Sequence, residues 1–337
     1  LNITFLIGNG FDINRELNTS YKDFYLYCNE NNILEDNTIY NEIQKDVNLW
    51  SDFEIKVGME TEKIKDEDEA NKFMDDFEDF HNTFIDYLEE VSEEYKPTSD
   101  QVKSSFKITM KNFHKGIDEV NEKIIETKIS RESNQGIIVN FLNFNYTNTL
   151  KKYLSLLDSD ESILYRNKYI STTCKDPIYL HNDIHNSALL GVNDITQIAN
   201  TKYFSEDDIN FLVKPNSTEI NNSNTFKNSE DVINSSNIIV IYGMSIGSTD
   251  KKWWQLIGEW LKNNNSYLII HYYNSSVENP RKSLRRLQRI RNTAKSQFID
   301  NLELSEEEII EIRKRIFISI NSKQVFSNIL IKNGVKT

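Results

Sequence analysis

Short apolar runs that stop at a glycine or a polar loop recur along this chain, and they restrict it to folds with strands buried on both faces. Residues 1–7, 136–144 and 238–242 carry Ile, Val, Leu and Phe in near-continuous order, the pattern of parallel strands covered above and below. The first run stops at Gly8-Asn9-Gly10, and a polar loop leads into an aromatic helix over 21–27. Further strands are expected at 178–181, entered through Pro177, at 189–192, at 266–272 and at 316–320. Helices are expected at 147–157 and 249–261, and between Ser305-Glu306-Glu307-Glu308 and the last strand. The stretch 221–237, rich in Asn and Ser, reads as a flexible turn region. Strands alternating with helices imply an α/β fold with a doubly wound, mainly parallel, Rossmann-like sheet.

The segment 30–135 breaks that alternation. Glycine and proline almost vanish from it, and Phe73, Phe77, Phe80, Phe84, Leu88 and Val91 fall at helical intervals. Between Glu30 and Asp100, 23 Asp and Glu stand against 6 Lys, a local charge of −17 against −13 for the whole chain. The simplest reading is the solvated face of a helical insertion. The expected division is therefore an α/β core made of residues 1–29 and 136–337, interrupted by an acidic helical insertion over 30–135, which covers the ligand cleft. The remainder is slightly basic, most visibly over 280–298, where Arg281, Lys282, Arg285, Arg286, Arg289, Arg291 and Lys295 accompany Leu284, Leu287 and Ile290. That basic amphipathic helix is open to two readings, a solvated surface helix or a contact with nucleic acid or an acidic partner.

The apolar runs are far shorter than the roughly 20 residues needed to cross a bilayer, so no membrane association is expected. Cys28 and Cys174 are the only cysteines. They belong to no C-x-x-C pair, cannot form a four-cysteine zinc site, and suit a reducing cytoplasm. Forty-two Asn are spread evenly along the 337 residues, which fits codon bias better than a prion-like tract.

In a doubly wound sheet, ligands bind beyond the carboxyl ends of the strands. Four places qualify: Gly8-Asn9-Gly10-Phe11-Asp12, Phe144-Asn145-Tyr146-Thr147, His181-Asn182 and Gly243-Met244-Ser245. The first and last are expected to meet at one sheet edge. Gly8 and Gly10 would let the backbone approach a phosphate, or simply form a tight turn; the full G-x-G-x-x-G pattern is absent because Ile13 occupies its last position. His181 and His185 are four apart, but a strand end and loop give no helical face and no third ligand, so no metal is expected. P-loop and H-E-x-x-H motifs are absent.

Taken with Thr19-Ser20-Tyr21-Lys22-Asp23-Phe24, Trp50-Ser51-Asp52-Phe53-Glu54, the continuation Asn148-Thr149-Leu150, Ile246 and Asp250, these motifs resemble the bacterial AbiH family of abortive-infection, phage-defence proteins over nearly the whole chain. Two departures are His181-Asn182, where the family usually has His-Gly, and Met244-Ser245, where it has His-Ser. More remotely, the set resembles the sirtuin-like NAD-binding fold. That likeness implies a glycine loop at Gly8, Asn9, Gly10 and Phe11, an Asp23-Phe24 pair over the nicotinamide end, Asn145 at the ribose, His181 as base, and Gly243 with Ser245 on the adenosine side. Asp12, Tyr21, Thr147 and Asp250 complete the nucleotide-binding set. Without a zinc module the implied chemistry is cleavage or sensing of NAD, not deacylation.

Cleaving the ribose–nicotinamide bond needs little acid help, because the leaving group is a pyridinium. The site must supply a dry pocket, here Phe11, Phe24 and Asp12, and an aligned water. Asn145 would orient ribose or water and His181 would accept a proton; alternatively Asn145 caps a helix and His181 is a strand-end core residue. The expected protein is a cytoplasmic antiviral effector that hydrolyses NAD or a related nucleotide and responds to a phage-derived trigger. A nucleotide sensor without turnover and a nuclease are the alternatives, and self-association into a homo-oligomer is left open.

Overall fold

The computed structural model describes residues 1–45, 53–186, 188–192, 194–263, 265–277 and 284–328. In chain order the elements are β1 (Asn2–Ile7), α1 (Gly10–Ile13), α2 (Tyr21–Asn31), α3 (Thr38–Gln44), α4 (Phe53–Glu60), α5 (Glu67–Glu93), α6 (Ser99–Asn112), α7 (Glu119–Glu132), β2 (Ile137–Asn143), α8 (Thr149–Leu154), β3 (Glu161–Tyr165), β4 (Lys168–Cys174), β5 (Ile178–Tyr179), α9 (Glu206–Leu212), α10 (Lys214–Ser235), β6 (Ile238–Tyr242), α11 (Lys251–Trp260), β7 (Tyr267–Tyr272), α12 (Leu284–Ile299), α13 (Glu306–Arg313) and β8 (Ile316–Ile320). Trp50, Ser51, Asp52, Pro280, Arg281 and Lys282 lie outside the described residues.

The eight strands form one sheet in the order β3-β4-β2-β1-β6-β7-β8, with β5 pairing β2 beyond the end of β4. From β1 the chain builds outward through β2 and β4, then returns to place β6 on the other side of β1 and continues to β7 and β8. The β1–β6 seam is thus a topological switch point, the place where an α/β sheet opens a crevice at its carboxyl edge. Leu6 lies opposite both Leu142 and Ile241, so three carboxyl ends finish level with one another.

Alternation along β1 sorts its side chains between two cores. Ile3, Phe5 and Ile7 face α6, α7 and α8 through Phe106, Phe113, Ile125, Ile129 and Tyr153. Leu6 faces the opposite core, which contains Trp253, Trp254 and Ile257 of α11 and Phe298 of α12. A third core joins α2, α3, α4 and α5 to the loop after β5 and to α9. All six residues of the α5 stripe are buried in it, each contributing about 1.5–3 kcal/mol. Of the helices in 30–135, those up to α5 build this third core, whereas α6 and α7 cover one face of the sheet.

One expectation is met in part and others are corrected. The expected mainly parallel sheet is mixed: six pairings are parallel, and β3 with β4 forms an antiparallel hairpin at one edge. Its two-residue turn uses Arg166 and Asn167, both at positive φ; without a glycine there, the hairpin leaves little trace in sequence. Residues 189–192 make only an isolated bridge, Val192 to Val213. The stretch 221–237 is mostly helical, within α10. Pro215 opens that helix, Phe226 and Ile233 bury against the sheet-side core, and this packing overrides the weak helix propensity of Asn and Ser. In α12 the buried side is Leu287, Ala294 and Phe298, while Leu284 is exposed, as are Arg285, Arg286 and Arg289. Among the described residues no helix is long and apolar enough to cross a membrane.

Two buried histidines make this fold sensitive to acid. Burial pushes His271 of β7 down to about 4, against the hydrogen bond at 2.8 Å between its Nε2 and the Phe113 carbonyl; burial and the Lys115 charge push His114 to about 4 as well. The unfolded chain binds these protons near pH 6.5, so stability present above that pH is lost as pH falls from 6.5 through about 4, on the order of 3 kcal/mol per histidine. Urea unfolding at pH 7 and at pH 4.5 is expected to show a smaller pH-dependent loss for His271→Gln than for the unsubstituted protein; equal losses would refute this assignment.

Candidate active site

Gly8-Asn9-Gly10 and Gly243-Met244-Ser245 do meet at the carboxyl edge of the sheet. The Gly8 N–H donates to the Tyr242 carbonyl (3.0 Å) and the Gly10 N–H to the Gly243 carbonyl (2.8 Å). A Cβ on Gly10 would lie 2.5 Å from the Gly243 Cα, and Gly243 itself has φ +69°. These glycines are therefore needed so that two loops can touch. This corrects the phosphate-cradle expectation: the Gly8 and Gly10 amides are engaged within the fold, and the Phe11 and Asp12 amides donate to Gly8 and Asn9 carbonyls.

Beside this seam lies a pocket of about 180 Å³, lined by Gly8, Asn9, Asp12, Tyr21, Asn145, Thr147, His181, Gly243, Ser245 and Asp250 among others. One wall is aromatic: the Tyr21 ring stacks on Phe53 (5.0 Å between centroids) and on Phe84 (4.9 Å), so α2, α4 and α5 bring flat apolar surface to the strand ends. Asn9 is locked by a reciprocal pair with Thr19, its amide donating to the Thr19 carbonyl (2.9 Å) and its side-chain oxygen accepting from the Thr19 hydroxyl (2.6 Å).

Charged groups line the pocket next to these rings. Lys214, the first residue of α10, is buried, with Nζ 2.8 Å from Glu54 Oε2 and 3.7 Å from Asp250 Oδ1. Asp250 Oδ1 is in turn 3.0 Å from His181 Nε2, and the Tyr146 hydroxyl donates to Glu54 Oε1 at 3.2 Å. Tyr146, Glu54, Lys214, Asp250 and His181 thus form one buried chain. Burial works against ionising Asp250, but Lys214 and the hydrogen bond from His181 more than offset it and hold the carboxyl down at about 2. For Lys214, burial is likewise outweighed, by Glu54 and Asp250, and its ammonium is held above the usual lysine range. An ionised Asp250 has no proton to give, so the shared proton sits on His181 Nε2. His181 Nδ1 is buried with no partner among the described residues, and in a neutral imidazole held this way it is the acceptor.

Asn145 presents a second open group. Its Nδ2 is also buried with no partner among the described residues. It is not a helix cap, since Asn148 precedes α8 and the Asn145 backbone N–H donates to Asn143 Oδ1 (3.2 Å). Asp12 is fully buried and accepts from the Thr147 hydroxyl at 2.5 Å; burial pushes its carboxyl up to about 6, against that hydrogen bond and the Arg15 charge.

Three members of the expected set lie elsewhere. The Phe11 ring is buried in the sheet core against Tyr153 and Phe326. The Asp23 carboxylate closes the capping box of α2 with Ser20, and Phe24 packs on Phe80, Phe84 and Tyr87. None of the three lines the pocket, and the flat surface they were expected to give comes from Tyr21, Phe53 and Phe84. His185 is half exposed and turned toward Asn148, away from the Asp250 pair. Lys214 and Glu54 carried no assignment in the sequence. Glu54 stands at the end of the Trp50-Ser51-Asp52-Phe53-Glu54 motif; for Lys214 the one available signal was a lysine between the apolar Phe211-Leu212-Val213 and a helix-opening proline.

The charged wall gives a direct stability prediction. Lys214→Met leaves two carboxylates buried without their shared cation, and denaturant unfolding is expected to show a loss of about 3–5 kcal/mol. Adding Glu54→Gln is expected to recover part of that loss; strictly additive losses would show that the chain of charges is not coupled.

No curated protein sequence matches the chain. A family model described as Bacteriophage abortive infection AbiH matches residues 4–272, most of the chain and every residue that lines the pocket. The chain therefore belongs to the AbiH family of bacteriophage abortive-infection proteins.

Proposed function

We propose that this abortive-infection protein acts by hydrolysing NAD or a related nucleotide at the ribose–nicotinamide bond, in the pocket at the β1–β6 seam. The observation that carries the reading is a pair of buried polar atoms with no partner among the described residues, Asn145 Nδ2 and His181 Nδ1, on two residues that line one pocket together with aromatic and charged groups. Buried polar groups normally have partners, so two open ones on the same pocket point to a ligand that supplies them. The enclosed volume of about 180 Å³ is below the roughly 300–1,000 Å³ of ordinary small-molecule clefts. It suits one end of a dinucleotide, with the remainder extending outward.

In this reading the nicotinamide ring lies along Tyr21, Phe53 and Phe84, and Asn145 donates to a ribose hydroxyl or to the attacking water. The water oxygen bonds to the ribose C1′ as the C1′–N bond breaks. The bonding electrons leave with nicotinamide, and the water proton passes to His181 Nδ1. Asp250 holds the imidazole by its Nε2–H and stabilises the cation formed, and Lys214 fixes Asp250. The aligned base is worth roughly 10²–10⁴ in rate, and the transition-state cation forms within reach of three carboxylates, Asp12, Glu54 and Asp250.

Chromatography of NAD incubated with purified protein, with and without phage extract, tests this. Free nicotinamide is expected from the wild type under the activating condition. Asn145→Ala is expected to lower turnover by about 10²–10⁴ with nucleotide affinity changed only a few-fold. His181→Ala is expected to fall comparably and to lose the acidic limb of the pH profile. Absence of nicotinamide from an activated protein that still binds NAD would replace hydrolysis with sensing.

A further inference from the structure

A second cavity, of about 200 Å³, opens where the loop after α1, the start of α6 and residues 327–328 converge. Its principal feature is Arg15, which is 7% exposed. Its guanidinium lies 3.3 Å from the centroid of the Phe11 ring and 5.0 Å from that of Tyr153. One NH1 proton goes to the Phe11 carbonyl (2.7 Å) and the Nε proton to the Tyr95 hydroxyl (3.2 Å). Among the described residues neither hydrogen-bond partner is an anion. The Asp12 carboxylate acts on Arg15 through its field, and the Arg15 backbone N–H donates to the Asp12 carbonyl (2.8 Å).

A buried guanidinium is ordinarily matched by a carboxylate or a bound anion, because its five N–H groups and its charge are costly to leave unmet. Here the guanidinium face rests on aromatic rings, and Arg15 also lines a cavity. Lys96 lines the same cavity and adds a second cation, the Gln101 amide offers a neutral donor, the Ser105 hydroxyl being given to the Ser327 carbonyl, and α6 begins at Ser99 with its positive end beside them. Tyr95, Pro97 and Tyr153 provide flat apolar walls. The exposed Glu16 is the one carboxylate on the lining.

We propose that this cavity is an oxyanion site for a phosphate group, free or as the monoester of a small molecule, bound by the open edge of Arg15 and by Lys96. The planar fork of Arg15 meets two phosphate oxygens and Lys96 meets a third. A volume larger than phosphate alone requires, with aromatic walls, accommodates the organic part of a monoester. The site is separate from the pocket at the β1–β6 seam. It touches the same loop from behind, since Arg15 holds the Phe11 carbonyl.

Equilibrium dialysis of the full chain with inorganic phosphate and with phenyl phosphate, joined to hydrogen exchange with and without each ligand, tests the site. Saturable binding is expected, with exchange slowed over 95–105. Lys96→Ala, an exposed position that leaves the fold intact, is expected to weaken binding about tenfold, the loss of one charge-assisted hydrogen bond. Arg15→Met is expected to abolish it. Tighter binding of phenyl phosphate assigns the site to a monoester, and equal or weaker binding assigns it to the free anion. Absence of saturable binding, affinity unchanged in Lys96→Ala, or protection confined to 8–12 and 243–250 would overturn the proposal.

Discussion

The salt-bridged lysine at the head of α10 is the interaction on which the site depends. Lys214 is buried between Glu54 of α4 and Asp250 just before α11, so one ammonium joins the third core to the carboxyl edge of the sheet. Burying three charges carries a large desolvation penalty, and apolar residues of the same volume would hold the helices as well or better. What apolar residues would not do is hold Asp250 ionised and, through it, keep His181 Nε2 turned toward that carboxylate. The arrangement therefore makes most sense as a device for orienting one imidazole.

A second constraint is the contact between the loops after β1 and β6. Gly10 and Gly243 approach so closely that any side chain on Gly10 would meet backbone, and the Gly243 carbonyl accepts the Gly10 N–H. That contact seals the floor of the crevice at the switch point. The pocket above it is lined by side chains, among them Asn145 and Ser245 from the strand ends and Tyr21 from α2. The pocket is thus built differently from a phosphate loop, in which free amides surround the anion.

Much of this was legible in the sequence because burial leaves strong marks. The apolar runs at 238–242 and 316–320 are β6 and β8, the Phe73 to Val91 stripe is the buried side of α5, and Ser305 caps α13 with Glu308 as its spacing implied. The polar positions after β1, β2, β5 and β6 do converge. What stayed hidden depends on contacts distant in sequence. A glycine pair reads the same whether it faces a phosphate or another loop. Lys214 gains its meaning from Glu54, 160 residues away. Helix α10 forms where local propensity is poor because Phe226 meets Trp253 (5.4 Å), and the turn at Arg166-Asn167 adopts positive φ without a glycine.

The most direct measurement is a crystal structure of the protein soaked with NAD. A nicotinamide ring is expected along Tyr21, Phe53 and Phe84, with its ribose within hydrogen-bond distance of Asn145 Nδ2 and His181 Nδ1, and Asp250 still paired with His181 Nε2. A nucleotide bound elsewhere with the β1–β6 pocket unchanged, or His181 turned so that Nδ1 rather than Nε2 meets Asp250, would contradict it.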